Sequence, residues 1–81
     1  MEPSPKSVFG RVLRRIRRER DLSQEALAHS AGLARNHVSE LERARRDPGL
    51  ATVVQIADAL NMGVGELMTR FDEERARLQG A

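Results

Sequence analysis

Residues 23–43 constrain the fold most, because a helix start, a chain reversal and a second helix follow one another within this short stretch. Ser23 is a favourable N-cap, since its hydroxyl can accept a free backbone N–H of the first helical turn. Apolar side chains then recur at helical spacing at Leu27, Ala28 and Ala31. Gly32 can end a helix in the left-handed conformation without a Cβ clash. The pattern predicts a helix over residues 23–31.

A second helix is predicted over residues 34–43, with Leu33, Val38 and Leu41 facing inward and a polar opposite side. Two short helices joined by a turn that contains glycine are typical of the helix-turn-helix motif. In that motif the second helix enters the DNA major groove. The alternative is an ordinary helical hairpin in a small all-α domain.

Charge is distributed unevenly along the chain. Residues 1–46 carry eleven Lys or Arg against six Asp or Glu, a balance of +5, and residues 47–81 carry three against six, a balance of −3. The basic half contains the two-helix stretch, and nearly all its cations are arginine, which suits bidentate contacts with phosphate and guanine. This asymmetry favours the DNA-binding interpretation.

Composition excludes several classes of protein. Helix formers dominate, aromatic residues are two Phe, and no stretch alternates with a period of two, so the fold class is predicted to be all-α. The chain has no Cys, and His29 and His37 have no partner at ligand spacing, so we expect no metal and no cofactor. Without a membrane-spanning run or a signal core, a cytoplasmic location without membrane association is expected. Ser23 is assigned as a helix cap and Ser39 as a residue of the second helix, which leaves no nucleophile–base pair, so an enzyme is not expected.

The remaining elements can be placed from local signals. Residues 1–5 are predicted to be a flexible lead-in, followed by one domain over residues 6–79. Its first helix is predicted over 6–20, with an apolar stripe beside an arginine-rich surface. Because the first helix of the motif lies near the DNA backbone, we expect arginines such as Arg14 and Arg18 to contact phosphates. Pro48 and Gly49 indicate a loop after residue 43.

Two further helices are predicted towards the C-terminus. The fourth spans residues 50–60 with a stripe of Leu50, Val53, Ile56, Ala57 and Leu60, and Asn61 is a suitable left-handed terminator. The fifth spans about 64–78, and one of its faces carries Val64, Leu67, Met68, Phe71, Arg75 and Leu78. Four shorter helices can already close a small core. The last helix is therefore predicted to dimerise, through Met62, Val64, Met68 and Phe71, although ordinary core packing is the alternative for Val64 and Leu67.

At the level of motifs the chain resembles the phage repressor and Cro-like helix-turn-helix family of bacterial regulators. The resemblance extends from about residue 10 to residue 68. It is carried by Leu13, Ile16, Arg17, Leu22-Ser23-Gln24, Leu27-Ala28, Gly32-Leu33, Val38-Ser39, Leu41-Glu42, Pro48 and Ile56-Ala57-Asp58-Ala59-Leu60. The length and the segment Leu33–Ser39 also look like the small controller proteins of restriction–modification systems.

The resemblance implies a compact five-helix domain that binds double-stranded operator DNA as a homodimer. It implies base reading by Arg35, Asn36, Ser39 and Glu40, with guanine favoured by Arg35 and adenine by Asn36. It implies contacts with the DNA backbone or the flanks of the groove by Ser23, Gln24, His37, Arg43, Arg45 and Arg46. It also implies a structural ion pair between Arg17 and Glu42.

Two residues depart from the family pattern. Ala34 stands where the family often has a Ser or Thr cap, so the recognition helix is expected to lack a side-chain cap, which is worth about 1 kcal/mol. Ala44 stands where the family usually has Gly. We expect the helix to continue by a turn here rather than leave Ala44 in a strained left-handed conformation. The positions of Arg45 and Arg46 depend on whether the helix continues.

Together these features predict a homodimeric, sequence-specific transcriptional regulator that reads a pseudo-palindrome, with control of restriction–modification genes as the specific version. Beside a promoter, such a protein blocks or recruits RNA polymerase. The alternative is an antitoxin, adaptor or coactivator that acts mainly through a protein partner, but residues 72–81 form only a short tail for that role.

Overall fold

A computed structural model describes residues 3–80, which contain five helices and no strand. The helices are α1 (Pro5–Glu19), α2 (Gln24–Ala31), α3 (Arg35–Glu42), α4 (Leu50–Ala59) and α5 (Val64–Gly80). This confirms the predicted all-α, five-helix architecture. Met1, Glu2 and Ala81 lie outside the described residues, so the predicted lead-in is described only from Pro3 onward. Within residues 3–80 no helix is long and apolar enough to cross a bilayer.

Local sequence signals fix most of the helix ends. The Ser4 hydroxyl accepts the Ser7 N–H at 3.2 Å, so residues 4 and 5 already form the start of α1. The Ser23 hydroxyl accepts the Ala26 N–H at 3.0 Å, which confirms the predicted cap of α2. Gly32 and Asn61 adopt left-handed conformations with φ of 70° and 58°, as predicted for the residues that end α2 and α4.

The core is built around α1, which packs against both α3 and α5. α2 bridges α3 and α4, and α4 also packs against α5. The largest side chains with essentially no exposed surface are Leu13, Ile16, Leu27, Leu41, Ile56, Leu60 and Leu67. Leu50 is an exception to the predicted stripe, because it is 78 % exposed. It is the first residue of α4, one turn before Val53, where burial of this helix begins.

Gly10 allows α1 to approach the end of α3 closely. A Cβ on this buried glycine would lie 2.6 Å from the Leu41 carbonyl oxygen and 2.8 Å from that of Glu42. Both atoms belong to the backbone, so they cannot move aside as a flexible side chain would. Any other residue at position 10 therefore forces α1 and α3 apart, at the point where α3 ends.

Glu74 is buried between α5 and α1, and it holds the second half of α5 on the domain. Arg15 Nη1 donates to Glu74 Oε1 at 2.9 Å, and Arg77 Nη2 donates to Oε2 at 2.6 Å. The Glu74 side chain is only 2 % exposed. The apolar pattern of α5 predicts position 75 on this face, but Arg75 is exposed and Glu74 is the buried residue. At 100° per residue, position 74 lies closer than position 75 to the direction set by Leu67 and Leu78.

The hydrogen bond from Arg77 is the main cause that lowers the pKa of Glu74 below its ordinary value of 4.5. Burial acts in the opposite direction, and the positive charges of Arg15 and Arg77 lower the pKa further. A carboxylate that binds protons less readily in the folded state stabilises the fold above its unfolded pKa. That stabilisation is lost as the pH falls through the folded pKa.

The substitution Gly10→Ala is expected to lower the free energy of unfolding by about 2–3 kcal/mol, because the added Cβ overlaps two backbone carbonyls. Urea unfolding followed by circular dichroism measures this change. Gly65→Ala is the matched control, since Gly65 is helical and a Cβ there meets nothing within 4 Å. It should be neutral or stabilising by about 0.5 kcal/mol. Equal stabilities of the two variants would contradict the close approach.

Replacing Glu74 by Gln is expected to lower stability by about 1–2 kcal/mol at neutral pH, because charge-assisted hydrogen bonds are lost. The gap between wild type and variant should narrow as the pH falls below about 4.5, and it should close only when the pH has fallen through the lowered pKa of folded Glu74, where the wild-type carboxyl is also neutral. Urea unfolding across this pH range measures the gap. Glu73→Gln, at an exposed neighbouring position, is the control and should show no such gap. A gap that is independent of pH would contradict the role of the charge.

Candidate nucleic-acid interface

Arg17 and Glu42 join α1 to the end of α3. Arg17 Nε donates to Glu42 Oε2 at 2.6 Å and Nη2 donates to Oε1 at 3.0 Å, while Nη1 donates to the Leu22 carbonyl at 2.8 Å. The side chains are 11 % and 3 % exposed. All three donor nitrogens of this guanidinium are therefore engaged with the protein. The arrangement is structural in character.

Arg17 is the positively charged member of this pair. The hydrogen bonding that Arg17 donates to Glu42 is the main cause that raises the pKa of Arg17 above its ordinary value, with a further contribution from the charge of Glu42, while burial lowers it. Arginine is protonated throughout the accessible pH range in any case. Because a buried charge without its partner is costly, the pair fixes one arrangement of α1 and α3.

The first turn of α2 is tied into the same network. Gln24 Nε2 donates to Glu42 Oε1 at 3.1 Å. The predicted phosphate contact of Gln24 therefore has to come from its second amide hydrogen or from the free backbone N–H groups of the helix start. Ser23 is exposed, and its hydroxyl already accepts the Ala26 N–H.

The predicted recognition helix presents one polar, outward face. Val38 and Leu41 are fully buried, so at 100° per residue the opposite side of α3 carries Asn36, Ser39, Glu40 and Arg43. Asn36 and Arg43 are exposed, and Ser39 and Glu40 are half-buried. Arg35 lies at the edge of this face and is exposed, and His37 is half-buried. As expected, Ala34 occupies the N-cap without a side-chain hydrogen bond. The candidate base-reading residues thus share one accessible face, and Arg35 borders it.

The prediction that this helix continues past residue 43 is wrong. α3 ends at Glu42, and Ala44 has φ of +57°, the left-handed conformation that costs an L-residue about 1–2 kcal/mol. The Arg45 N–H donates to the Glu40 carbonyl at 2.9 Å, and the Ala44 N–H to the Leu41 carbonyl at 3.2 Å. These two bonds satisfy carbonyls at the helix end and fold the chain back, which outweighs the strain at Ala44.

This turn settles where the loop arginines lie. Arg43, Arg45 and Arg46 are all exposed, immediately after α3. Arg46 reaches back to the helix, with its Nε 3.4 Å from Glu40 Oε1. The loop therefore contributes three cations beside the polar face of α3, and one of them contacts a candidate base-reading residue.

The exposed arginines of α1 border a groove that extends to the end of α3. It is lined by Arg11, Arg14, Arg15, Arg18, Glu19 and Glu42. Two of its arginines, Arg14 and Arg18, are those predicted to contact DNA phosphates. Arg15 is engaged with Glu74, and Glu19 accepts hydrogen bonds from Arg70. Arg14 and Arg18 therefore lie on a cationic surface that adjoins α3.

The side chains predicted to form a dimer interface differ in exposure. Met62 is 6 % exposed and belongs to the core, so it has little surface left for a partner. Val64, Met68 and Phe71 are half-buried and pack partly against the core. Val54 and Leu50, on α4, are the large apolar side chains of residues 3–80 with substantial exposure.

Sequence reasoning missed two contacts of this region. The Arg46–Glu40 pair depends on a turn at Ala44 that the residue type argues against. The Gln24–Glu42 hydrogen bond joins residues far apart in the chain, and no local pattern indicates it. Its only signal is indirect, because Gln24 and Arg17 both belong to the set of residues that carries the resemblance.

Comparison with known proteins agrees with this geometry. The helix-turn-helix family HTH_3 matches residues 13–67, so the chain belongs to this family, which is one of transcriptional regulators. It is 37 % identical over 68 residues to an uncharacterised HTH-type transcriptional regulator, y4dJ of Sinorhizobium fredii, covering 84 % of this chain and 88 % of the relative. The protein is a helix-turn-helix transcriptional regulator.

Solved structures extend the similarity. The restriction–modification controller protein C.AhdI from Aeromonas hydrophila is 39 % identical, with a TM-score of 0.74 over 76 % of this chain and 94 % of that one. The controller protein C.Esp1396I, solved as a tetramer with its natural 35 base-pair operator, is 26 % identical, with a TM-score of 0.85 over 91 % of this chain and 97 % of that one.

Replacing Ala44 by Gly is expected to stabilise the protein by about 0.5–1 kcal/mol, because glycine adopts φ of +57° without a Cβ clash. For a chain of this size the melting temperature should rise by about 2–8 °C. Ala51→Gly is the matched control, since Ala51 is exposed within α4, and it should lower the melting temperature. A decrease for both variants would contradict the strain at Ala44.

Proposed function

We propose that this regulator binds a pseudo-palindromic DNA operator as a homodimer, with α3 in the major groove. The observation that carries the proposal is the outward polar face of α3, whose position is fixed by the buried Arg17–Glu42 pair. A helix held in this way can meet base edges in one defined orientation. The proposal does not include an enzymatic activity.

The proposed base contacts follow from side-chain chemistry. Arg35, at the exposed start of α3, suits the O6 and N7 acceptors of guanine, and Asn36 suits the N6 and N7 atoms of adenine. Ser39 and Glu40 lie one turn further along the helix. Residues at the N-terminal end of a recognition helix are those that reach base edges in this motif.

The proposed backbone contacts surround that face. The start of α2 at Ser23 and Gln24 offers free backbone N–H groups and the positive end of a helix dipole to a phosphate. His37, the loop arginines and the α1 arginines Arg14 and Arg18 add further donors on either side. Their number implies an affinity that falls steeply with salt concentration.

The proposed dimer surface is on α5. Val64, Met68 and Phe71 recur at helical spacing and are each only half-buried in the monomer. Pairing two copies there would cover apolar surface and present two α3 helices to the same side of the DNA. The motif then requires half-sites about one helical turn apart, roughly 34 Å.

Similarity to controller proteins supports the more specific proposal, that the regulated genes encode a restriction–modification system. C.AhdI and C.Esp1396I are both restriction–modification controller proteins, and C.Esp1396I was solved as a tetramer in complex with its operator. A regulator bound beside a promoter meets RNA polymerase, either to exclude it or to recruit it.

The test is selection of binding sites from random duplex DNA by the purified protein, followed by sequencing. We expect an inverted repeat to be enriched. Arg35→Ala should enrich a repeat that has lost one guanine per half-site, with affinity for the original operator lower by about 1–3 kcal/mol.

The melting temperature shows whether a loss of affinity comes from unfolding. Because Arg35 is exposed, the melting temperature of Arg35→Ala should equal that of the wild type. Enrichment of no sequence by the wild type would contradict the proposed function. A single half-site without its repeat would contradict the dimer. Equal losses of Arg35→Ala on operator and random DNA would contradict base reading by Arg35.

A further inference from the structure

Glu40 is the acidic member of the proposed base-reading set. A carboxylate in the major groove lies between two rows of phosphates, so it is repelled unless a cation is close to it. Its useful partner on a base edge is the N4 amino group of cytosine, which donates a hydrogen bond. Recognition by Glu40 therefore needs a fixed orientation and a counter-charge.

Arg46 can supply both the fixed orientation of Glu40 and the counter-charge. Its Nε lies 3.4 Å from Glu40 Oε1, and the two side chains are 46 % and 39 % exposed. An ion pair this exposed contributes little to the stability of the fold. The contact is made possible by the backbone, because Ala44 turns the chain and the Arg45 N–H is held by the Glu40 carbonyl at 2.9 Å.

Each partner has the capacity for a second contact. The contact between them joins Arg46 Nε to Glu40 Oε1, and a guanidinium has further N–H donors while a carboxylate has a second acceptor oxygen. A guanidinium can donate to two acceptors at once in a fixed plane, which suits a bridge from a carboxylate to a phosphate.

We infer that Arg46 is a specificity-determining residue, which positions Glu40 to accept the N4 amino group of cytosine while Arg46 itself contacts a neighbouring phosphate. This inference rests on the proposed function and goes beyond it, since a cation that only flanks the groove strengthens binding to every sequence alike. Arg46 acts through Glu40, so it is a positioning residue rather than a base-reading one.

The experiment measures base preference, which a purely electrostatic role would not change. The operator obtained by selection is varied to each of the four base pairs at every half-site position, and dissociation constants are measured by fluorescence anisotropy at fixed salt. The proteins are wild type, Arg46→Ala, Glu40→Ala, the double variant and Arg45→Ala. Arg45 is the matched control, because it is an exposed arginine of the same loop without a side-chain contact to Glu40.

The wild type should prefer a C·G pair at one position of each half-site by about tenfold, and Glu40→Ala should abolish that preference. Arg46→Ala should reduce it to about threefold or less, and the double variant should match Glu40→Ala in preference. Arg45→Ala should weaken binding to all duplexes by one common factor and keep the preference.

Three results would overturn the inference. One is a common loss of affinity in Arg46→Ala with the cytosine preference intact. Another is a change of base preference by Arg46→Ala that persists in the Glu40→Ala background, and the third is a cytosine preference independent of Glu40. Under each of these results, selection by the wild type would still enrich an operator. If the wild type enriched no sequence, the proposed function itself would be contradicted.

Discussion

The buried contact between Arg17 and Glu42 is the interaction on which the arrangement of the domain depends. One guanidinium joins α1, the turn at Leu22 and the end of α3, and Gln24 adds the start of α2 through the same carboxylate. A buried ion pair is not a large source of stability compared with apolar side chains of similar volume. It does exclude alternative packings, because either partner left alone would be a buried charge. The start of α2 and the C-terminal end of α3 are therefore fixed relative to each other.

Much of the fold could be predicted because its signals are local. Ser23 and Gly32 delimit α2 through backbone chemistry that acts within one helical turn, and the apolar stripes of α1 and α4 identify most of the core. Leu50 shows where periodicity stops being informative. It has the correct direction on α4 but lies at the first residue of the helix, and 78 % of its surface is exposed. An apolar stripe indicates the direction in which a side chain points. Burial also requires a neighbouring element at the same level along the helix axis.

Some of the features that could not be predicted depend on contacts between distant parts of the chain. Glu74 is buried because Arg15, from α1, is there to pair with it. A charged residue in an apolar stripe gives no sign of such a partner, which is why position 75 looked equivalent. Ala44 is the converse case, since its residue type argues against the conformation it adopts. The hydrogen bonds from Ala44 and Arg45 to the last turn of α3 outweigh that preference, and they also bring Arg46 to Glu40.

α3 could not maintain this interface by itself. It has eight residues and no side-chain N-cap, and helices this short are unstable in isolation. Its order comes from burial of Val38 and Leu41, from the close approach of Gly10 and from the bond of Glu42 to Arg17. All these contacts lie on the inner side or at the C-terminal end of the helix. The outer face is thereby left free to differ between regulators that share the core, so the DNA sequence that we propose it reads can change without repacking the domain.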